Sequence, residues 1–217
     1  MRARAPLVLL LAGAPLLASA CGKLLAPPPR PRTDGYSALV TVRGGDTELA
    51  RFRLWVRGEA VRRSTTDEED APYFVRETAA GPVFEVNPAA KSYRAGTGDA
   101  LLAHLDDFPL GPDFNHAAEA NRRGIKEYHR ESDAVFAGNA CAIWRYADRP
   151  DAINSPSTTY WMTQALDGIV VRKVRGVPTG DGKEEKSFVE LTHIRVGVDE
   201  ELFRVPEGFQ REDAPAR

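Results

Sequence analysis

Residues 50–57 read Ala50-Arg51-Phe52-Arg53-Leu54-Trp55-Val56-Arg57. Ala50, Phe52, Leu54 and Val56 fall on one side of a period of two, and three arginines and Trp55 fall on the other. Side chains of a strand point alternately to opposite faces, so this stretch predicts a half-buried β-strand with an apolar inner face. The same period runs through Ala38, Val40 and Val42, with Thr41 and Arg43 opposed, and Gly44-Gly45-Asp46 supplies the turn between the two runs. Downstream, Gly58-Glu59 turns the chain into a strand over 60–66. Further strands are expected at 73–77, 83–87 and 91–94, separated by Gly81-Pro82 and Asn87-Pro88. Turn signals about every 8–12 residues indicate consecutive antiparallel strands. The strand–helix–strand rhythm of a parallel sheet is missing.

The middle of the chain changes character. Asp99 is placed to cap a helix carrying Leu101, Leu102, Leu105 and Phe108, stopped by Pro109 and Gly111. A second, alanine-rich helix is expected over 114–121. Strand patterning resumes at 125–131, 140–146, 158–163, 169–175 and 186–196, with a loop over 149–156 and a hairpin tip at Gly180-Asp181-Gly182. The reading is a mainly β (α+β) domain of about ten strands with one helical interruption.

The N-terminus carries a different message. Two arginines, Arg2 and Arg4, precede an apolar run over 5–17, and Ala18-Ser19-Ala20-Cys21-Gly22 follows. A basic start, a short apolar stretch and small residues at a cut are the parts of an export signal. The run falls short of the roughly 20 residues a bilayer span needs, and Gly13 and Pro15 interrupt it. Cysteine directly after the small residues resembles a lipobox. That motif implies a diacylglyceryl group on the Cys21 thiol, cleavage before it, and acylation of the new amine, typically with palmitate. Ala18-Ser19-Ala20 also suits ordinary signal peptidase, so a secreted soluble protein is the alternative. Residues 22–35 include Pro27-Pro28-Pro29-Arg30-Pro31, an extended tether of about 40 Å. The expected organisation is a signal at 1–20, lipidated cysteine and tether at 21–35, one folded domain at 36–210 and a disordered tail at 211–217.

The chain has 29 Lys and Arg against 31 Asp and Glu, a net charge of −2, and loss of Arg2 and Arg4 takes it to about −4. Neither this balance nor any basic run suits nucleic acid. Of the two cysteines, lipidation would use Cys21 and leave Cys141 alone as a small buried residue; an unmodified Cys21 leaves a bridge between the two open.

Several phrases resemble the LolA-like superfamily of lipoprotein-localisation factors. Val83-Phe84-Glu85-Val86-Asn87-Pro88-Ala89-Ala90-Lys91-Ser92-Tyr93 resembles a hairpin of the LolA-like proteins. Gly138-Asn139-Ala140-Cys141 with Trp144, a late strand with Trp161, and the closing Leu202-Phe203 with Pro206, Gly208 and Phe209 resemble a sister family of unknown function. The resemblance implies an unclosed antiparallel β half-barrel wrapped around one or two short helices. It also implies lipid or lipoprotein handling in the bacterial envelope. Gly22 after the anchor favours the outer membrane, by likeness to enterobacterial sorting, with the inner membrane or a soluble periplasmic state as alternatives.

An unclosed half-barrel presents an inner apolar face that could hold a lipid or acylated ligand. Phe52, Leu54 and Val56 are candidate contacts, joined by Ile143, Trp161 and Val171; packing against Leu101, Leu102 and Leu105 is the competing reading. His104, His116, His129 and His193 have no ligand spacing, so neither metal nor cofactor is expected. No nucleophile motif stands out, and no enzyme activity is expected. Asp67-Glu68-Glu69-Asp70 reads as a solvated loop. Arg51, Arg53, Arg57, Arg62 and Arg63 read as a solvated sheet face, or as a contact with anionic lipid or a partner. Two functions follow: a membrane-anchored lipoprotein binding a hydrophobic ligand, or an envelope-sensing module that binds a protein partner and whose barrel is filled by its own helices. Cys21→Ser is expected to shift the protein from the membrane pellet to the soluble envelope fraction; unchanged sedimentation would rule out the lipid anchor.

Overall fold

The computed structural model describes residues 34–68, 70–105, 107–112, 114–125, 128–147, 155–179, 181 and 183–212. The expected signal, Cys21, and the tether as far as residue 33 lie outside them. Twelve strands form one sheet. β1 (Tyr36–Gly44), β2 (Thr47–Arg57), β3 (Ala60–Ser64), β4 (Tyr73–Arg76), β5 (Phe84–Asn87) and β6 (Ser92–Ala95) are followed by α1 (Gly98–Leu102) and α2 (His116–Arg123). β7 (Tyr128–Phe136), β8 (Asn139–Ala147), β9 (Ser157–Thr163), β10 (Val170–Pro178) and β11 (Glu184–Val196) lead to a 3-10 turn at Glu200–Phe203 and to β12 (Gln210–Arg211). The order across the sheet is β12-β6-β5-β4-β3-β2-β1-β11-β10-β9-β8-β7. Every described pair is antiparallel except β12 with β6. β12 and β7 are free edges, so the sheet is not closed into a barrel. The expected mainly β class is the one observed.

Local chemistry moves the helices from their expected places. Thr97, not Asp99, caps α1, its hydroxyl accepting from the Ala100 N–H; Asp99 sits in the first turn, where a negative charge suits the helix dipole. α1 ends at Leu102, and Leu105 and Phe108 reach the core from successive turns. α2 starts two residues later than expected, capped by the Asn115 side chain. It stops at Gly124, whose φ of +66° is a left-handed conformation that glycine adopts without strain. Ile125, expected to open a strand, instead donates to Ala120 and is buried after the cap. At the C-terminus the folded part runs past the expected end at 210. Arg211 pairs with β6 and the Glu212 N–H donates to Tyr93 O at 2.8 Å, covering backbone groups that an open edge would expose.

The two faces of the sheet follow from its register. Tyr36 lies opposite Val56, Ala38 opposite Leu54, and Val40 opposite both Phe52 and Leu191, all on the inner face. These residues share one buried cluster with Leu101, Leu105, Phe108 and Ala120. A cluster drawing on β1–β3 and β8–β11 places the sheet around α1 and α2. On the outer face of β3–β6, the C-terminal segment forms a second cluster, in which Phe203 and Val198 pack with Tyr73, Val75 and Val86. Among the described residues no helix is long and apolar enough to cross a membrane.

Leu101 is 0% exposed. Leu101→Ala is expected to cost about 2–5 kcal/mol in urea unfolding with an unchanged m-value, whereas a loss under about 0.5 kcal/mol would show that α1 is not part of the core.

Candidate functional site

The register divides the six candidate ligand contacts. Phe52 and Leu54 are 0% exposed and Val56 is 1% exposed, all on the inner face beneath the helices. Ile143 lies opposite Trp161, Trp161 opposite Arg172, and Arg172 opposite Glu190, which puts Ile143 and Trp161 on the outer face. Val171 occupies a β-bulge between Val170 and Arg172 and is fully buried. The arginine cluster divides too. Arg63, opposite Leu54, points inward, with its guanidinium 4.1 Å from the Phe52 ring centre and a 2.6 Å hydrogen bond to Ala100 O of α1. Arg62 points outward between Trp55 and Tyr73.

α2 is held on the inner face by polar side chains. Its buried residues are Ala120 and Glu119. The Glu119 carboxylate accepts two 2.9 Å bonds from Arg122, one from Arg123 and one of 2.7 Å from the Tyr160 hydroxyl. Arg123 also donates to Thr158 and Tyr160, and Arg122 to Asp107. Burial pushes the Glu119 carboxyl up, but the hydrogen bonds from Arg122, Arg123 and Tyr160 together outweigh it and hold its pKa at about 2. Burial, then the Arg123 charge, lowers Lys173 to about 8. Burial also raises the Tyr160 phenol and lowers His116, whose Nδ1 lies 2.5 Å from the Tyr146 hydroxyl within a ring cluster of Phe114, Tyr128 and Trp144. A carboxylate committed to four donors acts as a latch for α2 rather than as an acid or base. Cys141 is wholly buried, and burial raises its thiol pKa, so it stays a neutral packing residue.

The outer face of β2, β1 and β11 has a different geometry. Across these strands Trp55, Ser37 and Arg195 form one row, and Arg53, Leu39 and Thr192 the next. Small Ser37 lies between two large side chains, leaving a groove of about 390 Å³ whose lining includes Arg51, Arg53, Trp55, Leu39, His193 and Arg195. One acidic residue, Asp67, enters it. Its carboxylate lies 3.1 Å from Arg51 Nε, and its carbonyl accepts from Arg53 Nε at 2.9 Å. Further along the same face Glu190 is bridged by Arg43 and Arg172, and Arg172 stacks near Phe136, Trp161 and Phe188. That part of the face is closed and neutralised; the groove is open.

No protein-family model matches this sequence, and no curated protein matches it. The structure is similar to a crystal structure of MucB, with a TM-score of 0.52 at 15% identity, covering 81% of this chain and 58% of that one. The two share a fold, and this chain spans little more than half of MucB. An uncharacterized conserved protein from Thermus thermophilus aligns over 83% of this chain and 90% of its own at 12% identity, with a TM-score of 0.46. The Mycobacterium tuberculosis lipoprotein LppX aligns over 75% of this chain and 88% of its own at 13% identity, with a TM-score of 0.37.

Sequence reading missed Ser37 and Leu39, which the β1–β2 pairing sets beside Trp55 and Arg53, and His193 and Arg195, which join them only when β11 returns to β1. The latch was equally hidden, since Glu119 and Tyr160 belong to elements that meet only in the folded domain. The latch makes an acid-dependence prediction. The pKa of Glu119 is depressed in the folded state, so its contribution is complete above its ordinary value of 4.5 and is lost as pH falls from there toward 2. Urea unfolding at successive pH values is expected to show this loss in the wild type and a smaller one in Glu119→Gln. Parallel curves for the two proteins would exclude the latch.

Proposed function

We propose that this chain is a lipid-anchored, non-enzymatic protein of the bacterial envelope that acts as an interaction module through its outer surface. In this reading Cys21 carries the anchor, the proline-rich segment is the spacer, the domain is a LolA-like half-barrel, and the outer membrane is its station. One observation carries the choice between the two functions: Phe52, Leu54 and Val56 are already covered by the chain's own Leu101, Leu105 and Phe108. An acyl ligand on that face would have to expose these residues. At about 1.5–3 kcal/mol for each large apolar side chain, displacing three of them costs about 5–9 kcal/mol. The whole domain is held by only about 5–15 kcal/mol. An occupied inner face therefore favours a partner bound outside over a lipid bound within.

Native mass spectrometry of the chain from residue 33 onward, purified from the periplasm without detergent, tests this. The expected result is a mass free of adducts that stays so after incubation with envelope lipids. A discrete lipid adduct, lost when Phe52 or Leu54 is replaced by a charged residue in a variant that still folds, would restore the ligand-binding function.

A further inference from the structure

We propose that the outer groove of β2, β1 and β11 binds an extended acidic segment of a partner protein, with carboxylates at alternate positions. The proposal rests on the reading above that the outer surface does the work.

Three features of the groove lead to this occupant. The first is charge. Arg51, Arg53 and Arg195 line it against one carboxylate among the described residues, that of Asp67, in a chain whose net charge is −2. Among the described residues Arg195 forms no ion pair, although it is exposed at the rim.

The second is spacing. Arg51 and Arg53 are two positions apart on one strand, so their side chains leave the sheet about 6.7 Å apart along it. Alternate residues of an extended peptide have that same repeat. Trp55 and Arg195 stand on strands flanking β1, about 9.6 Å apart across the sheet, with Ser37 as a low floor between them. That slot is about the width of one extended chain, and the half-buried Trp55 indole and Leu39 give it an apolar wall.

The third is that the chain already makes the expected contacts with itself. Arg51 takes the Asp67 carboxylate and Arg53 takes the Asp67 backbone carbonyl. A carboxylate and a main-chain carbonyl are the two groups an acidic peptide offers, and the loop over 67–70 is itself Asp-Glu-Glu-Asp. Asp67 thus stands in for the first residue of the partner. The Arg51–Asp67 pair is exposed, with side-chain accessibilities of 46% and 45%. Such pairs contribute at most about 1 kcal/mol, so an incoming acid can displace Asp67 at little cost. The acidic loop also decides against an anionic membrane as the occupant, because it would bring like charge against the headgroups.

The test uses the full chain carrying Cys21→Ser, so that no acyl anchor contributes. A fluorescein-labelled peptide with glutamate at alternate positions is titrated by fluorescence anisotropy, with the glutamine-substituted peptide as control. The glutamate peptide is expected to bind roughly tenfold tighter than the control, and less tightly as salt rises. Arg195→Glu is expected to weaken it roughly tenfold while circular dichroism is unchanged. Asp67→Ala is expected to tighten it several-fold, because Arg51 is released. Equal binding of both peptides, or no response to either substitution in folded protein, overturns the proposal. Sedimentation with phosphatidylglycerol-containing vesicles, lost in Arg195→Glu and without peptide binding, overturns it in favour of a membrane surface. A lipid adduct in the native mass spectrum would remove the functional reading itself, whereas a clean mass with no peptide binding removes this proposal alone.

Discussion

The pairing of β1 with β11 is the contact on which the domain depends. β2–β6 follow one another as a run of hairpins, and so do β7–β11, each formed between strands close in sequence. Only β1 against β11 joins the two runs, from Tyr36 opposite Val196 to Gly44 opposite Ser187, with one register shift between Ser37 and Leu39. The Arg43–Glu190 ion pair across this seam spans 147 positions of sequence. Closing so long a loop costs entropy before any contact forms, so the seam must be well specified. Its inner rows are Val40 against Leu191 and Val42 against Val189, and its outer rows carry the charged and small residues that shape the groove. Gly35 guards one end, where a Cβ would lie 2.6 Å from Val56 O and where its carbonyl accepts from Gly197.

An open sheet with one apolar face has to cover that face, and here the chain supplies the cover. α1 does so with Leu101 and with the turns that carry Leu105 and Phe108, tied to the sheet by Arg63 donating to the Ala100 carbonyl. α2 is too polar to be held by the hydrophobic effect alone, and its attachment relies on Glu119, Arg122 and Arg123. A buried carboxylate is tolerable only when its charge is fully met, which the two arginines and Tyr160 achieve. The domain therefore carries one helix fixed by apolar burial and one fixed by hydrogen bonds to Thr158 and Tyr160 and by the Arg122–Asp107 ion pair.

Much of the fold was legible because alternation is a local signal. The strands, their turns and the antiparallel class follow from period-two patterning between residues 36 and 196, and Phe52, Leu54 and Val56 were correctly placed together on an inner face. The helices were less legible. Thr97 caps α1 in place of Asp99, α2 begins after Asn115 rather than at residue 114, and the pattern Leu101, Leu102, Leu105, Phe108 resembles a helical stripe although turns deliver its second half. Face assignments were less legible where cross-strand register decides them. Register with Arg172 and Glu190 puts Trp161 and Ile143 on the outer face, and alternation sends the neighbours Arg62 and Arg63 to opposite faces.

The sequence by itself determined the class of the fold and the inner stripe of β2. Each rests on residues adjacent in the chain, where sterics and periodicity act without help. Tertiary structure alone decided that the inner face is filled, that Tyr160 donates to Glu119, and that Arg195 stands across from Trp55. These depend on which distant segments meet, and that choice is made by the summed burial and pairing of the whole sheet rather than by any local run of residues.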